Sequence, residues 1–185
     1  MTMNRNEFYA ILKEYTKSES LLKHAYSVEA AMKAYAKKYG EDEEQWGNIG
    51  LIHDFDYEMY PDQHPKKGSE ILAKKGIDEN IRTIILGHAD FTGVPRETLA
   101  AKVLYAVDEL CGFITAVTLV RPNKSVSDVK VKSVKKKMKD KRFAAKVSRE
   151  EIRQGAEELG VDFDEHVEFV IQSLVPVAET IGLNP

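Results

Sequence analysis

Five histidines occur in the 185 residues, and four of them, His24, His53, His64 and His88, fall in the first half on or beside expected helix ends. His53 is followed directly by Asp54, in Gly50-Leu-Ile-His-Asp-Phe55. Farther on, Asp108 stands among residues that expect burial, in Val103-Leu-Tyr-Ala-Val-Asp-Glu-Leu-Cys-Gly-Phe113. A carboxylate on so apolar a helix must reach solvent, find a cationic partner or coordinate a cation, because leaving it buried and unpaired costs several kcal/mol, of order ~5. Asp54, at the end of the apolar run from Ile49, poses the same problem. Imidazole and carboxylate together make a nitrogen/oxygen donor set that suits zinc, iron, manganese, nickel or cobalt. One divalent cation would satisfy both acids at once.

The elements that must position these residues read as helices throughout, with no stretch of period-two alternation. Expected helices cover 4–16, then a second that starts after Ser18 or Ser20 as cap and ends at Tyr39, with Gly40 closing it. A third runs from about Asp42 to Phe55, and residues 56–64 form a loop. Pro65 opens a fourth that Gly76 ends. A fifth follows Asp78 to near His88. Pro95 and Thr98 open a long sixth through Val120, stopped by Arg121-Pro122-Asn123. A basic seventh covers roughly 127–140. An eighth starts from the capping-box pattern Ser148-Arg-Glu-Glu151 and ends at Gly160. A ninth begins at Asp162 or Asp164, with Pro176 kinking it or splitting off its last turn. The expectation is one all-α domain over 1–185 with eight or nine helices. The residues named above would lie in a core of about 20–122, and 123–185 would be a helical extension.

The order His24, then His53-Asp54, then Asp108, each on an expected helix, resembles the HD superfamily of metal-dependent phosphohydrolases over roughly residues 20–120. The segment His64-Pro-Lys-Lys-Gly-Ser-Glu-Ile-Leu72, followed by His88, looks like the extra histidine pair of the family's binuclear branch. The resemblance implies one metal on His24, His53, Asp54 and Asp108, and a second on His64 and His88 with Asp54 bridging. It implies hydrolysis of a phosphomonoester or phosphodiester, such as a nucleotide, by metal-activated water. Phe55-Asp56-Tyr57 follows the dyad where binuclear members often carry Gly-Lys, so the chain makes no simple match to the cyclic dinucleotide phosphodiesterase branch. Asp54 and Asp56 are the catalytic candidates, with Glu58 in the same loop as a further acid. Lys66, Lys67 and Arg121 are candidates for binding substrate phosphate. Two other readings share these residues: a di-iron oxygenase of HD type, and a non-catalytic helical binding module whose histidines are structural.

Composition narrows the partners. A lone cysteine, Cys111, excludes an internal disulfide and fits a reduced, cytoplasmic setting. Residues 1–15 carry charges throughout and lack the apolar core of a signal peptide. The most apolar stretch, Val103 to Val120, is interrupted by Asp108 and Glu109, so no membrane association is expected. Between Lys124 and Arg149 stand 11 basic residues against Asp128 and Asp140, a local balance of +9 that leaves −12 for the rest of a chain of net charge −3. That segment could steer a small anionic, phosphorylated substrate. It lacks the interleaved aromatics of a stacking surface, which argues against nucleic acid as the partner. Val131, Val134 and Met138 recur at helical spacing, which also fits an amphipathic surface helix with a solvated lysine face.

Overall fold

Side chains placed at the helix ends set the boundaries of the architecture. The structure is a computed structural model and describes residues 3–184. Among these residues there are nine α-helices and no strand: α1 (Arg5–Tyr15), α2 (Glu19–Tyr39), α3 (Glu43–Ile52), α4 (Lys66–Lys74), α5 (Glu79–Leu86), α6 (Leu99–Leu119), α7 (Val131–Met138), α8 (Arg149–Leu159) and α9 (Phe163–Leu174). Asn4 opens α1 with a reciprocal capping box to Glu7. Asp42, Asp78, Thr98, Ser148 and Asp162 each accept a backbone N–H in the first turn of the helix that follows. Gly40 and Gly160 end α2 and α8 in the left-handed region, at φ 71° and 73°.

The long helix α6 is the axis of the molecule. Val103, Leu104, Val107, Leu110, Phe113, Ile114 and Val117 along it are all essentially buried. Each such side chain contributes about 1.5–3 kcal/mol on leaving water. α2, α5, α8 and α9 pack on it, and α3 lies against α2 as the most extensive helix pair. A continuous core runs from Phe8 to Leu183, so 123–185 closes the same core that the first 122 residues begin. Among the described residues no helix is long and apolar enough to cross a membrane.

Two departures from the expected boundaries have local causes. α3 stops at Ile52, and His53 to Met59 form successive turns. There the Phe55 carbonyl accepts a bond from Thr16 Oγ1 at 3.0 Å. α7 starts later than expected because Val126 and Val129, both buried, hold the preceding chain in a 3₁₀ turn and an extended residue. On α7 itself Val134 and Met138 face inward, and Lys135 pairs with Asp164 at 2.9 Å. The basic segment therefore includes an amphipathic surface helix.

Candidate metal centre

Close helix packing brings the first histidines together. Gly50 of α3 lies against α2 so tightly that a Cβ there would stand 2.8 Å from the Val28 carbonyl oxygen. That approach sets His53, just past α3, beside His24 of α2, with ring centroids 5.3 Å apart. Asp108 comes from the facing surface of α6. His24 Nε2 lies 2.8 Å from Asp108 Oδ1 and 3.7 Å from Asp54 Oδ2. His53 Nε2 lies 3.1 Å from Asp108 Oδ1 and 3.2 Å from Asp54 Oδ2.

The other oxygen of Asp54 faces a second pair of rings. His64 Nε2 and His88 Nε2 lie 3.1 Å and 3.2 Å from Asp54 Oδ1. Two donor groups result, His24–His53–Asp54–Asp108 and Asp54–His64–His88, each with its donor atoms within 4.8 Å of one another. The structure thus brings together all six residues singled out as ligands, with Asp54 common to both groups.

The backs of the rings decide what their fronts can do. His53 Nδ1–H donates to the Gly50 carbonyl at 2.7 Å, and His88 Nδ1–H donates to the Ile85 carbonyl. His64 Nδ1–H donates to Asp56 Oδ1 at 2.6 Å. A carbonyl or carboxylate oxygen can only accept, so each neutral ring presents a bare lone pair at Nε2. Orienting the imidazole through its distal nitrogen is the usual support of a ligating histidine. For bonds of about 2.0–2.2 Å, neighbouring donors on one ion stand roughly 3.0–3.5 Å apart. Most of the spacings above fall in or near that range, so the residues present fit a metal.

Without metal, the contacts of His53 and His64 are ion pairs. Burial works against a charged His53, but Asp54 and Asp108 outweigh it and raise its pKa well above the ordinary value. His64, also partly desolvated, is carried up to about 9 by Asp54 and Asp56. The two aspartates move the other way: burial opposes ionisation, yet the imidazoles, His53 foremost, hold both below the usual carboxylate range.

Asp56 supports the centre from behind. It is 1% exposed, and its second oxygen accepts the Gly68 N–H at 2.7 Å. With both oxygens engaged, and with no place on the cavity wall, it orients His64. Gly68 is the residue that admits it, since a Cβ there would stand 2.7 Å from Asp56 Cγ. Gly68→Ala should therefore weaken metal at the His64–His88 group about 10–100-fold and spare the other group. Unchanged affinity in a metal titration would show that Asp56 does not set the ring. Glu58 is also away from the centre: it accepts the Lys17 and Ser18 N–H groups at the start of α2, which lower its pKa.

An open cavity of about 580 Å³ lies over the two groups, lined by His24, Asp54, His64, His88 and Asp108. Tyr57 and the strongly exposed Phe91 form an aromatic rim. Lys66, Lys67 and Arg121 do not line it. Lys66 points to solvent, and Lys67 turns to Glu70 at 3.4 Å and to the Tyr60 ring. Arg121, beyond the end of α6, donates to Ser133 Oγ at 3.3 Å, and lies roughly 20 Å along the helix direction from Asp108.

Residues not singled out in the sequence take those places. Lys146, an exposed lysine just before α8, borders the cavity, as do Val147 and the carboxylates Glu109, Asp90 and Glu151. Burial, then the nearby Asp108, pushes Glu109 up to about 7. Burial likewise raises Glu151. Glu109 Oε2 accepts the Ser148 N–H at 3.0 Å, so Ser148 makes only half of the capping box its sequence suggests. Asp90 is held by Arg96 at 2.9 Å and by Tyr105 Oη at 2.9 Å. Arg96 also binds the Gly87 carbonyl and both oxygens of Glu158, each at 2.7 Å, which ties the His88 turn to α8. The neighbour of Asp108 could have been suspected, and Lys146 belongs to the basic segment between Lys124 and Arg149, but nothing local marks Glu151.

The fifth histidine serves as a contrast. His166 is buried, donates Nε2–H to the Ala106 carbonyl at 2.9 Å and accepts from Tyr35 Oη at Nδ1. His166→Phe should cost about 1–3 kcal/mol for the unmade bonds and leave metal content unchanged. A change in bound metal, measured by mass spectrometry, would contradict this division of the histidines.

Comparison with family models, with curated proteins and with solved structures finds no match.

Proposed function

We propose that this chain is a metal-dependent phosphohydrolase of the HD type, acting on a phosphomonoester or phosphodiester through a binuclear centre. The observation that carries the reading is the Asp54 carboxylate, whose Oδ2 faces His53 and His24 and whose Oδ1 faces His64 and His88. Two divalent transition-metal ions, of iron, manganese, zinc, nickel or cobalt, fit such donors. When bound, they would lower the pKa of a coordinated water toward neutrality and polarise a phosphoryl oxygen.

The chain's own residues supply the rest. His24, His53, Asp54 and Asp108 would hold one ion, and His64 and His88 with Asp54 the other. Asp56, Gly50 and Ile85 fix the ring orientations. Two dications against two carboxylates leave a net positive centre suited to a phosphate. Lys146 adds positive charge at the rim.

The test is metal content of protein purified without added metal, together with phosphoester hydrolysis. About two ions per chain are expected, falling to about one in His64→Ala, with turnover that depends on them. Iron accompanied by oxygen consumption and no phosphoester turnover would favour the oxygenase instead. No metal even after reconstitution would leave a helical binding module.

A further inference from the structure

Gly112 stands inside α6, where a glycine costs conformational entropy relative to alanine. Neither of the usual reasons for a glycine applies. Its φ is not positive, and a Cβ added there would meet no atom within 4 Å, whereas at Gly50 and Gly68 the nearest atoms are 2.8 and 2.7 Å away. The space it leaves borders two neighbouring cavities. Gly112 and His24 line both the cavity over the metal centre and a second one of about 600 Å³.

The second cavity continues along one face of each of two helices. On α6 it is lined by Gly112, Thr115 and Leu119, and Asp108, one turn before Gly112, lines the cavity over the metal centre, so the four stand at steps of four, three and four along one face. On α2 the lining residues are Ser20, His24 and Ser27, with Lys23 alongside. From Asp108 to Leu119 the helix rise gives a trough of roughly 16 Å. Its walls mix hydroxyls, the Lys23 ammonium paired with Glu19 at 2.9 Å, and the apolar side chains of Leu119, Ile181 and Leu183. Reactive phosphate chemistry needs only the metal end, so the remaining length suits the alcohol half of a substrate.

We infer that the centre takes elongated phosphoesters whose hydroxyl-bearing alcohol half, of the sugar or nucleoside kind, passes over Gly112 into the cleft of Ser20, Lys23 and Thr115. This rests on the phosphohydrolase reading above. Binding energy gained along the trough would position the phosphate and discriminate among substrates, leaving the metal groups untouched.

The test compares kcat/KM for p-nitrophenyl phosphate with values for a panel of hexose phosphates and nucleoside monophosphates, using metal-replete protein. Wild type should prefer its best panel member over p-nitrophenyl phosphate. Gly112→Phe, and Thr115→Trp one turn farther out, should each reduce that preference at least tenfold, mainly through KM, with metal content unchanged. Gly112→Ala should raise the melting temperature, since its added methyl fills open space in a helix. Turnover of p-nitrophenyl phosphate with no preference for the panel, or with a preference untouched in both variants, overturns the inference alone. So does a lower melting temperature in Gly112→Ala, which would give the glycine a packing role. Absence of turnover on every phosphoester by the metal-replete wild type overturns the phosphohydrolase reading and this inference with it.

Discussion

Asp54→Ala is expected to abolish phosphoester turnover, by roughly 10³-fold or more, equivalent to about 4 kcal/mol of lost transition-state stabilisation. The size follows from geometry. Each of the other five ligands serves one donor group, but Asp54 serves both, one oxygen to each. Its removal leaves three donors in the first group and two in the second, and deletes negative charge from a place where four imidazoles converge. Asp54→Asn is the sharper variant, because it keeps the shape and removes the charge. It should retain some metal at the His24–His53–Asp108 group and little at His64–His88. Asp56→Asn should cost far less, about 10–100-fold, because that residue touches His64 and not the cavity. A metal-replete, fully active Asp54→Ala protein would refute the assignment of this centre as the active site.

The contrast between Asp54 and Asp56 also marks the limit of what the sequence makes legible. The dyad and Asp108 stand out locally, since acids amid apolar residues need a partner. Helix ends are equally local: Asn4, Asp42, Thr98 and Asp162 each bond to an N–H three residues on. Asp56 is different. The sequence marks it as a catalytic candidate beside the dyad, but not as the support of His64, because its partners, His64 and the Gly68 N–H, reach it only when the chain from 53 to 64 folds back in turns. Direction fails in the same way. Lys66 and Lys67 stand two and three residues after His64, but the helix phase points them away from the ring they accompany. Arg121 lies beyond the far end of the helix that carries Asp108. Lys146 and Glu151 reach the cavity because α8 packs on α6, a contact between segments about 40 residues apart that no local pattern encodes.

Metal should reverse the sign of the protein's response to pH between about 6.5 and 9. In the metal-free protein His64 has its pKa raised to about 9, and His53 is raised as well. A histidine raised on folding contributes stability that is complete below its unfolded value, about 6.5, and is lost as pH climbs through the folded value. The lowered Asp54 and Asp108 contribute above about pH 4 and lose their contribution in acid. The metal-free melting temperature should therefore be highest at about pH 4–6.5 and fall toward pH 9. A metal ion needs the Nε2 lone pairs, so its uptake at pH 7 must expel protons, about two if His53 and His64 are both charged. Affinity should then climb about tenfold per proton for each pH unit across that window. At a free metal concentration 1,000 times Kd the gain is about 4 kcal/mol, or roughly 8–16 °C for a chain of this size. Calorimetry in two buffers of different ionisation enthalpy counts the protons, and melting curves with and without chelator give the opposing slopes. If uptake releases no protons, the imidazoles are neutral before metal arrives, and the ion pairs cannot be what holds the empty centre in shape.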